Sequence, residues 1–367
     1  MHSFSAPIPD RTPGHQTVTK VLRKLTAGHA LYFPGEQKPP TVAGVSVMPR
    51  RHSDVARATL HFDGSMTAVY VKLHKRPKRR PDTPLETVLE HARREYDILS
   101  AHYEKFRRIP GYSVPRPVAF FPEEIAVVTE EVKGDNLHHL IKKKARLWQG
   151  DSEIDTLKTH CRECGVWLSH FQALTSEQRR AKLPVGDIQE QLRTDLETCV
   201  KMGLPRADAM RLFRFCQARL RKLEAREFPV VGEHPDFQPD NVVLSRAGVT
   251  VLDFTNFRYG SACNDVARFL VSLDFLSKNP FYGPRTIHAL MAAFLEGYGW
   301  KRGEMDAGVL VYLIRHMALA VATVSTWTYP PLVKRFWQRR AAAFLSAWSR
   351  NLIEAADDFV ERIVRSG

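Results

Sequence analysis

Residues 234–254, HPDFQPDNVVLSRAGVTVLDF, set three oxygen-bearing side chains at fixed intervals: Asp236, Asn241 and Asp253. Between them, the β-branched runs Val242-Val243-Leu244 and Val249-Thr250-Val251-Leu252 flank Ser245-Arg246-Ala247-Gly248. Two apolar strands around a short Gly-containing turn read as a hairpin. A hairpin brings the residue before its first strand beside the residue after its second. Asn241 and Asp253 therefore reach one end, with Asp236 on the loop leading in. Carboxylate and amide oxygens grouped in this way suit a hard cation such as Mg²⁺, which takes few protein ligands and completes its shell with water and phosphate. The competing reading is a plain hairpin whose Asp and Asn side chains only cap turns.

The order H-x-D, Asn at the fifth position, then D-F after the next strand resembles the catalytic core of the protein-kinase-like superfamily. It is most similar to the aminoglycoside phosphotransferase and choline kinase branch, whose loop reads roughly H-G-D-x-x-x-x-N. His234-Pro235-Asp236 carries proline in place of that glycine, and Asp253-Phe254-Thr255 lacks the glycine of protein kinases. The second departure favours the small-molecule branch. The resemblance implies an α+β, bilobal, protein-kinase-like fold: a small antiparallel-sheet N-lobe and a larger, mostly helical C-lobe. It also implies ATP and Mg²⁺ as cofactors. Asp236 would accept the proton of a substrate hydroxyl, Asn241 and Asp253 would hold the metal, and His234 would orient the loop.

These groups need a scaffold, and the chain supplies its pattern. Residues 1–15 are polar and Pro-rich and read as a flexible arm. Val18, Val21, Leu22 and Leu25 then recur with helical period. The period switches to two at 42–48, 55–62 and 66–73, with Asp63-Gly64 as a hairpin turn. Lys72 lies on the third of these strands, where the resembled family carries the lysine that steadies the α- and β-phosphates. Residues 85–106 form one apolar stripe on a long helix, and Glu95 beside it is the carboxylate that would aim Lys72, with Glu90 the runner-up. No G-x-G-x-x-G or P-loop occurs; the polar, glycine-free residues 49–54 stand where a nucleotide-covering loop would be.

A further strand pair, 117–121 and 125–130, ends at Glu130-Glu131-Val132-Lys133-Gly134. In the related enzymes the chain crosses between lobes here, so the backbone of Glu131 and Val132 is expected to meet the adenine edge. The expected organisation is an arm at 1–15, an N-lobe at 16–130, a hinge at 131–135 and a helical C-lobe at 136–367. Within the C-lobe, GVWLSHFQAL resembles the family's helix behind the catalytic loop, and Asp265 of 260–269 its loop-bracing aspartate.

The remaining motifs are weaker. Cys161-x-x-Cys164 has no second ligand pair at finger spacing and reads as packed cysteines. The apolar stretch 309–327 is interrupted by Arg315 and His316, and reads as a buried helix rather than a membrane span. The basic loop 74–84 and the aromatic-basic run 334–340 are open to two readings each: solvated or packed surface, or contact with anionic substrate or head groups.

Composition bounds the partners. Of 367 residues, 54 are Lys or Arg and 40 Asp or Glu, a formal charge of +14. Such a surplus attracts anions and repels polycations, which argues against an aminoglycoside acceptor and for an anionic one: a sugar phosphate, or a lipid-linked or lipopolysaccharide glycan. Nucleic acid is disfavoured by the motifs but left open by charge. Five cysteines at no framework spacing point to a reduced, cytoplasmic setting, with a peripheral place at the inner membrane face left open. The expected activity is transfer of the γ-phosphoryl group of ATP to an alcohol. A nucleotide-binding pseudokinase or scaffold that recruits an acidic partner is the alternative.

Overall fold

Three runs of period-two alternation become three long strands: Thr41–Pro49, Ser53–His61 and Met66–His74. The computed structural model describes residues 13–49, 53–76, 82–301 and 304–355. Residues 1–12 of the expected arm, 50–52 of the expected nucleotide-covering segment and 77–81 of the basic loop lie outside them. The chain divides into two compact units, one of residues 1–134 with 245–257, the other of 135–244 with 258–367. The stretch 245–257, expected to run on with the helical part, packs with the first unit instead.

In the first unit the three strands pair antiparallel with Ala126–Glu130 and Pro117–Phe121 into one five-stranded sheet, in the order 41–49, 53–61, 66–74, 126–130, 117–121. Strand alternation gives this sheet two different faces. Val69, Val71 and Leu73 join one core with Val18, Val21, Leu22 and Leu25 of the helix Pro13–Ala27. That helix starts at Pro13, inside the expected arm, because proline's fixed φ is suited to a first helical turn. Val127, the cross-strand neighbour of Lys72, joins a separate core with Val88 and Ala92 of the helix Leu85–Phe106. Lys72 and His74 alternate with Val71 and Leu73, so the same periodicity turns them away from the first core. The strand Gly248–Val251 pairs in parallel with Tyr112–Ser113. Their approach is so close that a Cβ on Gly248 would sit 1.9 Å from the Gly111 carbonyl oxygen.

The second unit is mainly helical: Leu137–Lys144, Asp151–Leu174, Val185–Lys201, Arg206–Leu223, Ala262–Asp274, Pro284–Tyr298, Glu304–Thr323 and Pro331–Glu354. Asn136 caps the first of these, accepting from the His139 amide at 3.2 Å. A small sheet of Arg258–Ser261, Glu227–Glu233 and Arg180–Lys182 accompanies them. The strand Glu227–Glu233 follows the helix Arg206–Leu223; its EFPVVGE sequence carries Val230 and Val231, which favour a strand, and Pro229, which disfavours a helix. Trp167, Phe171, Phe237, Phe269 and Phe294 form the aromatic heart, with Phe269 and Phe294 stacked at 4.2 Å between centroids. Cys161 and Cys164 lie fully buried in this unit, and burial pushes the Cys161 thiol up to about 12. The segment Asp306–Thr326 is long and apolar enough to cross a membrane by length and composition, yet it is 72% buried inside the protein.

Candidate active site

The first unit assembles its part of the site around Lys72. Its ammonium lies 2.9 Å from Glu95 Oε1 and 2.9 Å from Asp253 Oδ1, and it also contacts the Thr255 hydroxyl. Glu95 is placed by the long helix that covers this face of the sheet, and it is 6% exposed. Asp253 follows the strand Gly248–Val251 and takes a left-handed backbone, φ +66°, which turns its carboxylate back toward the lysine. Burial alone would pull the Lys72 ammonium down; Glu95 and Asp253 outweigh it and hold the group above the ordinary lysine value. Burial likewise pushes Glu95 up, and the Lys72 charge with a contact from His74 Nε2 at 3.1 Å more than reverses it. Both groups stay ionised at neutral pH.

Two members of this cluster escaped the sequence reading. Thr255 Oγ1 bonds Glu95 Oε2 at 3.0 Å and Asp253 Oδ1 at 2.5 Å, so it ties the two carboxylates together. His74 shares the face of Lys72 at an i, i+2 spacing, which is the signal that could have found it. The helix Leu85–Phe106 also reaches toward Phe254 through His102, whose ring stacks on it at 5.7 Å. The expected hinge is arranged less simply. The Glu131 amide already donates to the Ala68 carbonyl at 2.8 Å, and its carboxylate is forked onto Arg57 at 2.5 and 2.7 Å. Its carbonyl and the Val132 amide are the groups left for a base edge.

In the second unit, the loop after the strand Glu227–Glu233 carries Asp236 and Asn241. Phe237, next to Asp236, is fully buried against Trp167 at 5.6 Å and Phe269 at 5.2 Å, which pins the loop. The His234 amide donates to Asp265 Oδ2 at 3.0 Å, so Asp265 holds the loop's start from the helix Ala262–Asp274. Burial, then the nearby Glu233 charge, raise the Asp265 carboxyl well above its usual range. The Asp236 side chain remains 39% exposed, 3.6 Å from Arg268, a mostly buried guanidinium that also donates to Gln238 at 2.9 Å. Arg268 was not anticipated; it lies three residues after Asp265, one helical turn on.

Asn241 donates through Nδ2 to the Asp236 carbonyl at 2.9 Å, which leaves its Oδ1 to accept. That amide oxygen and the half-exposed Asp253 carboxylate are both hard donors, the type Mg²⁺ takes. The residues present therefore fit the expected metal in donor chemistry. Among the described residues no cluster of three or more His, Cys, Asp or Glu is arranged for a metal.

Comparison with known proteins bears on the fold and the family. Choline kinase from Cryptosporidium parvum superposes with a TM-score of 0.54 at 12% identity, over 93% of this chain and 97% of that one. Amicoumacin kinase hAmiN, in complex with AMP-PNP, Ca²⁺ and amicoumacin, gives 0.52 at 16% identity, over 90% and 96%. APH(2'')-IIa, in its ternary complex with streptomycin and ATP, gives 0.51 at 13%, over 89% and 95%. At these identities the likeness is one of fold, and the fold is kinase-like. No curated protein matches the chain. A model of the phosphotransferase enzyme family, however, matches residues 76–307, more than half of the sequence, and the chain belongs to that family.

Proposed function

We propose that the protein is an ATP- and Mg²⁺-dependent kinase that moves the γ-phosphoryl group to a hydroxyl of a small-molecule or glycan acceptor of anionic character. The observation that carries this reading is Lys72 held between Glu95 and Asp253. Phosphoryl transfer asks a protein mainly for positioning and charge neutralisation, and a lysine kept charged and aimed by two carboxylates supplies both. Family membership supports phosphotransfer. The nucleotides in two structural neighbours, with Ca²⁺ in one of them, support a nucleotide with a divalent cation here.

The residues divide the work as follows. Lys72, oriented by Glu95, steadies the α- and β-phosphates. Asp236 takes the proton from the acceptor hydroxyl and aligns its oxygen for in-line attack on the γ-phosphorus, and ADP leaves. Asn241 and Asp253 would hold Mg²⁺, which when bound neutralises charge on the β- and γ-phosphates. The carbonyl of Glu131 and the amide of Val132 would meet the adenine. The +14 surplus favours an anionic acceptor over a polycation. We place the enzyme in the cytoplasm with a peripheral contact at an anionic membrane surface, a reading supported by exposed Leu332, Val333 and Phe336 beside Lys334 and Arg335.

A panel of sugar phosphates and anionic glycans with γ-labelled ATP tests the reading. Label transfer that needs Mg²⁺ and disappears in Asp236→Asn is the expected result. Nucleotide binding without turnover on any acceptor would favour a scaffold instead.

A further inference from the structure

A cavity of about 680 Å³ opens in the second unit among the start of the helix Val185–Lys201, the strands Glu227–Glu233 and Arg258–Ser261, and the helix Glu304–Thr323. Its lining includes Glu233 and two guanidiniums beside it in the fold, Arg258 and Arg315. Glu233 is 2% exposed and already fully engaged. The Ser261 amide donates to its Oε1 at 2.8 Å, while Arg258 Nε and Asn264 Nδ2 donate to its Oε2 at 2.6 and 3.0 Å.

Arg315 is left with neutral partners at long range, Asn264 Oδ1 at 3.5 Å and Gln191 Oε1 at 3.3 Å. Among the described residues it makes no ion pair. Asp195 acts on it only through space, and burial has pushed that carboxyl up to about 6. Burial, and then the like charge of Arg258, pull the Arg315 guanidinium below its ordinary value. Of the other charged lining residues, Arg179 pairs with Glu177 at 2.7 Å and Glu190 with Arg193 at 2.9 Å, so neither offsets Arg315. A partly buried guanidinium without a carboxylate is costly, and its planar fork matches carboxylate or phosphate bidentately.

Arg315 is also the charge that interrupts the apolar run 309–327. Its neighbour His316 is buried against Asn264 Oδ1 at 2.8 Å. An apolar residue at 315 would suit the rest of that helix better. The cavity's size falls within the roughly 300–1,000 Å³ of pockets that enclose a whole small molecule, which is far more than a bare ion needs. The strand that supplies Glu233 runs directly into the loop bearing Asp236, three residues on, a reach of at most about 10 Å along the chain.

We propose that this cavity seats the oxyanion, phosphate or carboxylate, of a small molecule on Arg315 with Arg258 beside it, and that this molecule is the phosphoryl acceptor. The acceptor clause rests on the kinase reading above; the oxyanion site does not.

The test is calorimetry on the full chain saturated with Mg²⁺ and AMP-PNP, titrated with inorganic phosphate and, separately, with a hexose 6-phosphate. AMP-PNP binding reads the kinase assignment, and the two titrations read the cavity. Hexose 6-phosphate should bind more tightly than inorganic phosphate. Arg315→Gln, which can still donate to Asn264 and Gln191, should weaken both by on the order of tenfold or more, the equivalent of about 1.4 kcal/mol. Arg315→Lys should fall between, and the surface variant Arg350→Gln, outside the cavity lining, should bind as wild type, with AMP-PNP affinity unchanged in all three. No binding by the wild type, or equal binding by Arg315→Gln, would overturn the site. Inorganic phosphate binding as tightly as the sugar phosphate, and lost in Arg315→Gln, would overturn the acceptor clause and identify a separate oxyanion effector.

Discussion

Lys72 Nζ lies 2.9 Å from Glu95 Oε1, a strand lysine meeting a helix glutamate 23 residues later with both side chains mostly withdrawn from solvent. Glu95→Gln keeps the shape and removes the charge, so Lys72 retains only Asp253 as counter-ion. Leaving a buried group so poorly paired costs about 1–3 kcal/mol, and the urea midpoint should fall accordingly.

That pair also sets a pH dependence. Glu95 is depressed in the folded state, so its stabilising contribution is present above the unfolded carboxyl value, about 4.3, and is lost as pH falls through the folded one. Lys72 is raised, so its contribution is present below about 10.4 and is lost only as pH climbs through its higher folded value. The stability gap between wild type and Glu95→Gln should therefore be constant near neutrality and close below about pH 4. Urea melts from pH 3 to 8 measure it; a gap that stays open in acid would mean Glu95 is not ionised in the fold.

Asp236→Asn removes the proton acceptor and its charge toward Arg268, while the pinning of its loop by Phe237, Asp265 and the Asn241 amide stays in place. Turnover should drop by about 10²- to 10⁴-fold, with ATP affinity close to wild type. Wild-type turnover in this variant would remove Asp236 from the mechanism.

Asp253→Ala deletes both the expected metal carboxylate and a counter-ion of Lys72. Nucleotide affinity should lose its dependence on Mg²⁺, read by calorimetry with and without EDTA. Unchanged MgATP affinity would refute the metal role.

Gly165→Ala tests the packing of the helices Asp151–Leu174 and Pro284–Tyr298. A Cβ at 165 would lie 2.1 Å from the Phe294 carbonyl oxygen, and one at Gly297 would lie 1.9 Å from that of Arg162. Alanine's intrinsic helix advantage is about 1 kcal/mol, whereas forcing two backbones apart costs about 3 kcal/mol. Packing should win, and the thermal midpoint should fall.

The ordered residues Asp236, Asn241 and Asp253, the strand carrying Lys72 and the helix carrying Glu95 were all legible in the linear chain, because period-two and period-3.6 patterns are local properties. Those patterns even determine which face of its strand Lys72 occupies. Thr255 and Arg268 were not legible, since neither belongs to a periodic pattern that marks a partner: Thr255 matters only once Lys72, Glu95 and Asp253 have converged on it. The strand Glu227–Glu233 was not legible for a related reason. Its identity depends on pairing with Arg258–Ser261 and Arg180–Lys182, both distant in the chain. Arg315 shows the division most plainly. Sequence places a charge in an apolar helix, but whether that charge breaks a span, meets a carboxylate or faces an empty volume depends on what non-local packing brings beside it, and only the folded chain decides that.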